Sequence, residues 1–406
     1  MRFHTIQRLK ATRVLMSGRI NIASVIAAKL YSSDAISLLS YIVLTIFYNA
    51  EFEVESTGGK KLLLSRNFLS VNREDYWDIY INFISLGEFD ELIFRRRFSF
   101  VNVLKNITCF LSVIRNNVNL GLKFFDLLTV SSLQAYYIRA KKNYNSIQFS
   151  NYESYISFCD SYLEENLVAQ MAKCSGLKTA TLQHGQYRVN MRGRESTDCE
   201  AYLNFVSDYI FVWGEATKIE FIKGGVESDR ILVCGALKSF YEEDRVSYIV
   251  EDDAICIILN GDSHLKSNFT MLPLVAKFCE DRNISFYIRP HPASKNKFYE
   301  KFLKNPLCLG LHNDSRRYQF SIIHTSGVFV EMLMNDDCFL VYKDDFLDEL
   351  FEIDGSNFCS VDELSFLYDN GVATMQAENL KSFFNVACNK ADLIGRYRSA
   401  INEFLL

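Results

Sequence analysis

Three short runs hold the residue types that could do chemistry, and each follows an apolar strand-like stretch. The first is Arg289-Pro290-His291-Pro292. The chain has four prolines in 406 residues, and two of them frame this histidine. The preceding Ile284–Ile288 is apolar and aromatic, as a buried strand should be. Proline cannot donate to a sheet ladder, so pairing should stop at Pro290. That leaves Arg289 and His291 at the carboxyl end of a strand, where ligands bind in open α/β sheets. Arginine offers a fork of donors for phosphate, and histidine can donate to an anion or move a proton.

The second run is His324-Thr325-Ser326-Gly327, with Glu331 four residues on. Glycine permits a tight turn and the two hydroxyls can donate. A helix start over Val328–Met334 would add free N–H groups and a positive dipole end, which suit a phosphate. Glu331 would then share that face and could accept from ribose hydroxyls. The same residues also suit a plain helix cap.

The third run is Gln183-His184-Gly185, after the strand-like Lys178–Leu182. The residues that follow include Arg188, Arg192, Arg194, Glu195 and Asp198, a composition fit for an anion-binding loop. Asp160 ends a further strand-like run, Tyr155–Cys159. The chain's histidines lack the spacing of a metal motif, and no Asp-x-Asp ends a strand. A P-loop, a nucleophile elbow and a dinucleotide-binding glycine fingerprint are absent. We therefore expect no metal and no bound cofactor.

The elements that must position these runs alternate along the chain. Strands at 61–65, 91–94, 155–159, 178–182, 209–213 and 230–234 are interleaved with helices. A charged stretch at 241–253 divides this series from a second one, with strands at 255–259, 284–288, 320–323 and 339–342. Dense strand–helix–strand alternation means mostly parallel sheets with right-handed crossovers. The expected class is α/β, with a helical extension over 1–59, one Rossmann-like unit over 60–245 and another over 254–406. Two such units in series would form a cleft with the three runs at its walls.

Charge and cysteine usage exclude several classes. The net charge of −5 argues against a general nucleic-acid binder. It is uneven: residues 1–150 carry +8 and residues 151–406 carry −13. A basic first part suits an anionic membrane surface or an anionic acceptor. The eleven cysteines are scattered singly, which fits a reducing, cytoplasmic compartment. Ala35–Ala50 is uncharged for 16 residues, too short to span a bilayer, and reads as a helix capped by Ser33.

In order and spacing the runs resemble bacterial surface-polysaccharide glycosyltransferases of the GT-B fold, the enzymes of capsule and lipopolysaccharide O-antigen synthesis. The resemblance is carried by Gln183-His184-Gly185, Tyr209–Glu215, Gly224–Gly235, Arg289–Pro292 and Thr325–Gly327 with Glu331. It covers about residues 155–345. It implies two Rossmann-like domains and a nucleotide-activated donor, such as CMP-Kdo, held by the second of them. His291 with Arg289 would contact the donor phosphate, and Thr325, Ser326, Gly327 and Glu331 the phosphate and ribose. His184 would lie nearer an oligosaccharide or lipid-linked acceptor at the inner face of the cytoplasmic membrane. Asp160, Glu195 and Asp198 are the candidates for a general base. A CDP-glycerol or CDP-ribitol phosphotransferase of teichoic-acid type and a non-catalytic assembly scaffold share the pattern. The acidic motif of polysialyltransferases is not evident.

Overall fold

The computed structural model describes residues 3–32, 35–55, 62–65, 74–142, 147–161, 163–185, 187, 190–191, 194–195, 203–237, 249–292, 294–312, 316–329, 332, 337–347, 351–352, 355–370 and 390–405. Its first elements are α1 (Phe3–Ala11), the hairpin β1 (Met16–Ser17) and β2 (Ile20–Asn21), α2 (Ile22–Ser32), α3 (Ala35–Phe47) and β3 (Tyr48–Glu55). Next come β4 (Leu62–Ser65), α4 (Glu74–Ile84), β5 (Asp90–Phe98), α5 (Val103–Asn117) and α6 (Phe124–Lys142). Then follow β6 (Ser154–Ser157), α7 (Leu163–Cys174), β7 (Lys178–Leu182), the hairpin β8 (Asn190–Met191) and β9 (Arg194–Glu195), β10 (Tyr209–Val212), α8 (Glu215–Lys223) and β11 (Ile231–Val233).

The second series opens with β12 (Ile249–Ile258), α9 (Leu265–Arg282), β13 (Ser285–Arg289) and β14 (Cys308–Leu311). It continues with β15 (Arg316–Ile323), β16 (Phe339–Tyr342), β17 (Asn357–Phe358), α10 (Val361–Asp369) and α11 (Lys390–Leu405).

These strands build two sheets. The first has seven strands in the order β11-β10-β7-β6-β4-β5-β3, parallel except for β3. The second has six, all parallel, in the order β14-β13-β12-β15-β16-β17. That is the doubly wound order 3-2-1-4-5-6, whose direction of travel reverses between β12 and β15. The first sheet reverses between β4 and β6. Strand ends beside a reversal open a crevice, because the flanking crossover helices leave on opposite faces.

Buried runs make these strands. Ile255–Leu259 and Phe286–Ile288 are covered on both faces, as a parallel sheet between helices requires. Gly176 ends α7 with φ +86, where a side chain would be strained, and Leu177 N–H then bonds to Ala172 O at 3.0 Å.

Three expectations need correction. The first concerns Tyr48–Glu55, which is a strand and not part of a helical extension. It lies antiparallel on β5, with Arg95–Glu53 at 3.1 Å, Arg97–Glu51 at 3.3 Å and Phe52 against Phe94. These opposite-charge and aromatic cross-strand pairs favour a strand. Ile6, Ile22 and Ile26 meanwhile share a core with Tyr155 and Val168, so α1 and α2 belong to the first unit.

The second concerns the interdomain stretch. Residues 241–248 lie outside the described residues, but Ile249–Asp253 already extends β12 against β15. The register slips between Glu251 and Ile255, so the acidic residues sit at an irregularity in the ladder. Third, α11 packs on the first sheet rather than the second. Tyr397 and Phe404 lie against Phe211, and the buried Tyr397 hydroxyl donates to Gly235 O at 2.9 Å. One apolar cluster runs from Phe211 and Trp213 to Ile258, Ile323 and Phe329, joining the two halves. Each such side chain, fully buried, contributes about 1.5–3 kcal/mol.

The expected helix at 345–352 is also not found where it is described, since Asp345 and Phe346 form a turn; the helix at 378–388 and the Ser33 cap lie outside the described residues. Among the described residues no helix is long and apolar enough to cross a membrane.

Candidate functional site

The carboxyl ends of β12, β13, β15 and β16 carry one set of polar groups. β12 runs into Asn260-Gly261-Asp262, and β13 into Arg289, Pro290 and His291. Gly261 lies under the His291 ring: an added Cβ would meet ring atoms at 3.5 Å. The Asp262 carboxylate then ties the two loops together. It accepts from the Ser294 hydroxyl and, at 3.1 Å, from Lys295 N–H, and these bonds hold its pKa below the usual carboxylate value. His291 is thus seated on backbone at a strand end, where its sequence context placed it. Arg289 is half-buried beside it.

His324 follows β15 and is completely buried. Its Nε2 lies 3.0 Å from Asp344 Oδ1, at the end of the neighbouring β16. Burial pushes the Asp344 carboxyl up. Hydrogen bonding from His324, helped by Phe346 N–H at 2.8 Å, outweighs that and leaves it at about 2. An ionised Asp344 requires Nε2 to carry the hydrogen. The other nitrogen, Nδ1, is buried with no partner among the described residues. Both polar atoms of the Asn260 side chain are in the same state, although its backbone is clamped by Asn268 at 2.9 Å on each side. Buried polar atoms without partners are rare, and each calls for an explanation.

His264, at the start of α9, completes this set. Its ring centroid is 5.8 Å from that of His324. Burial, and then the nearby His324, lower its pKa to about 4. Among the described residues no group of three His, Cys, Asp or Glu is placed to hold a metal ion.

The turn after His324 is a cap. Ser326 Oγ accepts from Val328 N–H at 3.4 Å, and Ser326 O accepts from Phe329 N–H at 3.2 Å. Thr325 is half-buried, and an added Cβ on Gly327 would meet only open space. Glu331 and Asp198 lie outside the described residues, as do Arg188 and Arg192.

In the first sheet, Gln183 fixes the Gln-His-Gly turn. Its buried amide donates to Gly185 O at 2.8 Å and accepts from Trp213 N–H at 2.6 Å. Trp213 Nε1 returns a bond to Gln183 O at 3.0 Å. His184 is half-buried in an aromatic box of Tyr76, Phe158 and Tyr187, with ring centroids 5.2 to 5.6 Å away. Its Nδ1 is 3.0 Å from the Tyr187 hydroxyl. If Tyr187 donates, Nε2 carries a hydrogen and is a donor; if Nδ1 donates, Nε2 is a base.

Asp160 is enclosed. It is fully buried, and its Oδ2 accepts from Val206 N–H at 3.0 Å and Ser207 N–H at 2.6 Å. Burial raises its pKa. This carboxylate ties the end of β6 to the segment entering β10. Glu195 lies in β9, paired with Asn190.

Sequence reasoning missed Asn260, His264, Asp344 and Tyr187. Asn260 was detectable as a polar residue directly after a buried strand. His264 and Asp344 had no such signal, since only the sheet order sets them beside His324.

No family model and no curated protein matches this chain. Solved structures with a similar course of the chain include three that match most of it at low identity. A UDP-GlcNAc 2-epimerase from Neisseria meningitidis bound to UDP-GlcNAc is 11% identical with a TM-score of 0.48, covering 85% of this chain and 99% of its own. Arabidopsis thaliana UGT89C1 complexed with UDP-L-rhamnose is 12% identical with a TM-score of 0.47, covering 86% and 100%. The lipopolysaccharide outer core galactosyltransferase WaaB is 7% identical with a TM-score of 0.45, covering 84% and 99%. By its own topology the chain has the GT-B architecture: two doubly wound α/β units in series, with the last helix returned to the first.

Proposed function

We propose that this protein is a glycosyltransferase. It moves a sugar from a nucleotide-activated donor, CMP-linked donors such as CMP-Kdo included, to a growing surface polysaccharide or lipid-linked acceptor. The observation that carries this reading is the set of buried polar atoms without partners at the reversal point of the second sheet, His324 Nδ1 and the Asn260 amide. They flank a histidine seated on Gly261 and an arginine at the adjacent strand end. Such a place suits the phosphates and ribose of a nucleotide.

In sugar transfer the leaving phosphate gathers negative charge. Arg289, His291 and the backbone amides after Thr325, Ser326 and Gly327 would stabilise that charge as donors already in position. Glu331 is the proposed ribose partner. With these groups in place the reaction needs no metal ion. Across the site, His184 would contact the acceptor or the reacting carbon. Asp160, already committed to two backbone amides, is assigned to positioning the segment before β10. Glu195 remains the candidate general base.

A second reading rests on the His184–Tyr187 contact, which can make Nε2 a base. It is a CDP-polyol phosphotransferase, with His184 deprotonating the acceptor hydroxyl. Product analysis with a panel of nucleotide sugars and CDP-polyols separates the two. Glycoside formation with release of free nucleotide supports the first reading. Polyol-phosphate transfer with release of CMP supports the second. Epimerised donor sugar, or nucleotide binding without turnover, would overturn both.

A further inference from the structure

We infer that the face built by α3, α5 and the Phe98–Val101 turn docks on an anionic lipid surface. This goes beyond the donor site and does not depend on it. The helix α6 is buried between the first sheet's core and a small cluster it shares with α3 and α5. An outer layer of α3 and α5 therefore has one face inward and one outward. Asn106 Nδ2 bonds to Ile46 O at 2.9 Å, and Ser99 N–H to Phe47 O at 2.8 Å, so the two helices and the turn form one surface.

The outward side carries large apolar side chains among polar and basic ones. Phe100 is 72% exposed, Val101 94%, Leu104 81% and Ile36 79%. Phe98 and Phe100 pack edge-on at 4.7 Å, and both meet Phe47, which holds the aromatic rings together at the surface. Isolated exposed apolar residues need no explanation, but the joined rings of Phe47, Phe98 and Phe100, with Val101 and Leu104 following in the chain, mark an interaction site.

The charge pattern selects the partner. From Leu92 to Phe125 the chain has six Lys and Arg and no Asp or Glu, and Ala35–Ala50 has no charge at all. Arg95, Arg96 and Arg97 are paired with Glu53, Glu164 and Glu51. Lys105, Arg115 and Lys123 take part in no ion pair among the described residues. Lys105 and Arg115 lie on α5 beside the exposed Leu104 and Leu111. A second copy docked through the same patch would set Lys105 and Arg115 against their counterparts, with no acid on α3, α5 or the Phe98–Val101 turn to pair. Apolar side chains rimmed by unpaired cations instead fit a layer of anionic headgroups over hydrocarbon.

The test uses the full chain in vesicle flotation. The vesicles are equal parts phosphatidylglycerol and phosphatidylcholine, or phosphatidylcholine alone. The protein should float with the anionic vesicles at about 50 mM salt and be largely released at about 500 mM. Phe100→Glu with Leu104→Glu changes only exposed positions, and near-ultraviolet circular dichroism checks that the fold persists. It should lower the bound fraction at least about tenfold, since exposed apolar anchors then become repelling charges. Lys105→Ala with Arg115→Ala and Lys123→Ala should lower partitioning about a hundredfold. Absence of flotation at low salt, or folded variants that float like the parent, would overturn the proposal. A dimer that the Phe100/Leu104 variant breaks, without flotation of the parent, would also overturn it and assign the face to a second copy.

Discussion

His324 and Asp344 stand at the carboxyl ends of neighbouring parallel strands, and their 3.0 Å contact fixes which nitrogen of the buried ring carries its hydrogen. Asp344 is held at about 2, so it is ionised throughout the physiological range. Nε2 must be the protonated nitrogen, and Nδ1 is the one without a partner among the described residues. Asp344→Ala should therefore cost about 1.5–3 kcal/mol of stability, the value of a partly buried bond to a charged group. Asp344→Asn should cost less, because its carbonyl still accepts. Denaturant unfolding compares the variants, and equal stability of all three proteins would dismiss the contact as incidental.

His264 should make stability depend on pH. Its folded pKa is about 4, below the ordinary 6.5, because burial and then His324 disfavour its charged form. Between those values the unfolded chain binds a proton that the folded chain refuses. The contribution is complete above pH 6.5 and is lost as pH falls toward 4, up to about 3 kcal/mol in all. His264→Gln should flatten that part of the curve. Unfolding free energies from pH 7 to 4.5, parent against variant, give the answer as the difference in slope.

Gln183 should not tolerate Glu. The amide both donates to Gly185 O and accepts from Trp213 N–H. A carboxylate cannot donate, so Gln183→Glu sets it against a buried carbonyl and should cost about 1–3 kcal/mol. The same change should reduce transfer by displacing His184. Melting temperature and transfer rate are measured together; an unchanged melting point would contradict the positioning role.

Much of this could be read from the chain. Apolar runs such as Ile255–Leu259 and Ile284–Ile288 are covered on both faces, so their period and length gave the second sheet away. The prolines around His291 marked a strand end because they cannot extend a ladder. Local signals failed where tertiary contact decided the outcome. Tyr48–Glu55 continues an uncharged helical run and becomes a strand only because β5 pairs with it. Leu265–Arg282 is one helix although Pro273 lies inside it. Asp344 is 20 residues from His324 and meets it only through the order of strands. By itself the Thr-Ser-Gly turn read more readily as a cap than as a phosphate site, and Ser326 does cap its own turn.

Transfer should survive chelation. The proposed phosphate site relies on Arg289, His291 and backbone amides, which stabilise charge without an ion. Dialysis against EDTA should leave the rate within about twofold. A chelated enzyme that is inactive and recovers with magnesium or manganese would require a different account of the leaving group.

The central claim is that the carboxyl ends of the second sheet hold a nucleotide through His291. A thermal-shift titration of CMP, CDP, UDP, GDP and their sugars against the parent and His291→Ala tests it most directly. One nucleotide series should raise the parent's midpoint with concentration, because binding to the native state alone stabilises by mass action. In His291→Ala the free protein should melt with the parent, but the rise should need at least about tenfold more nucleotide, as expected for loss of one charge-assisted donor. No shift with any nucleotide, or identical titrations of parent and variant, would contradict the account.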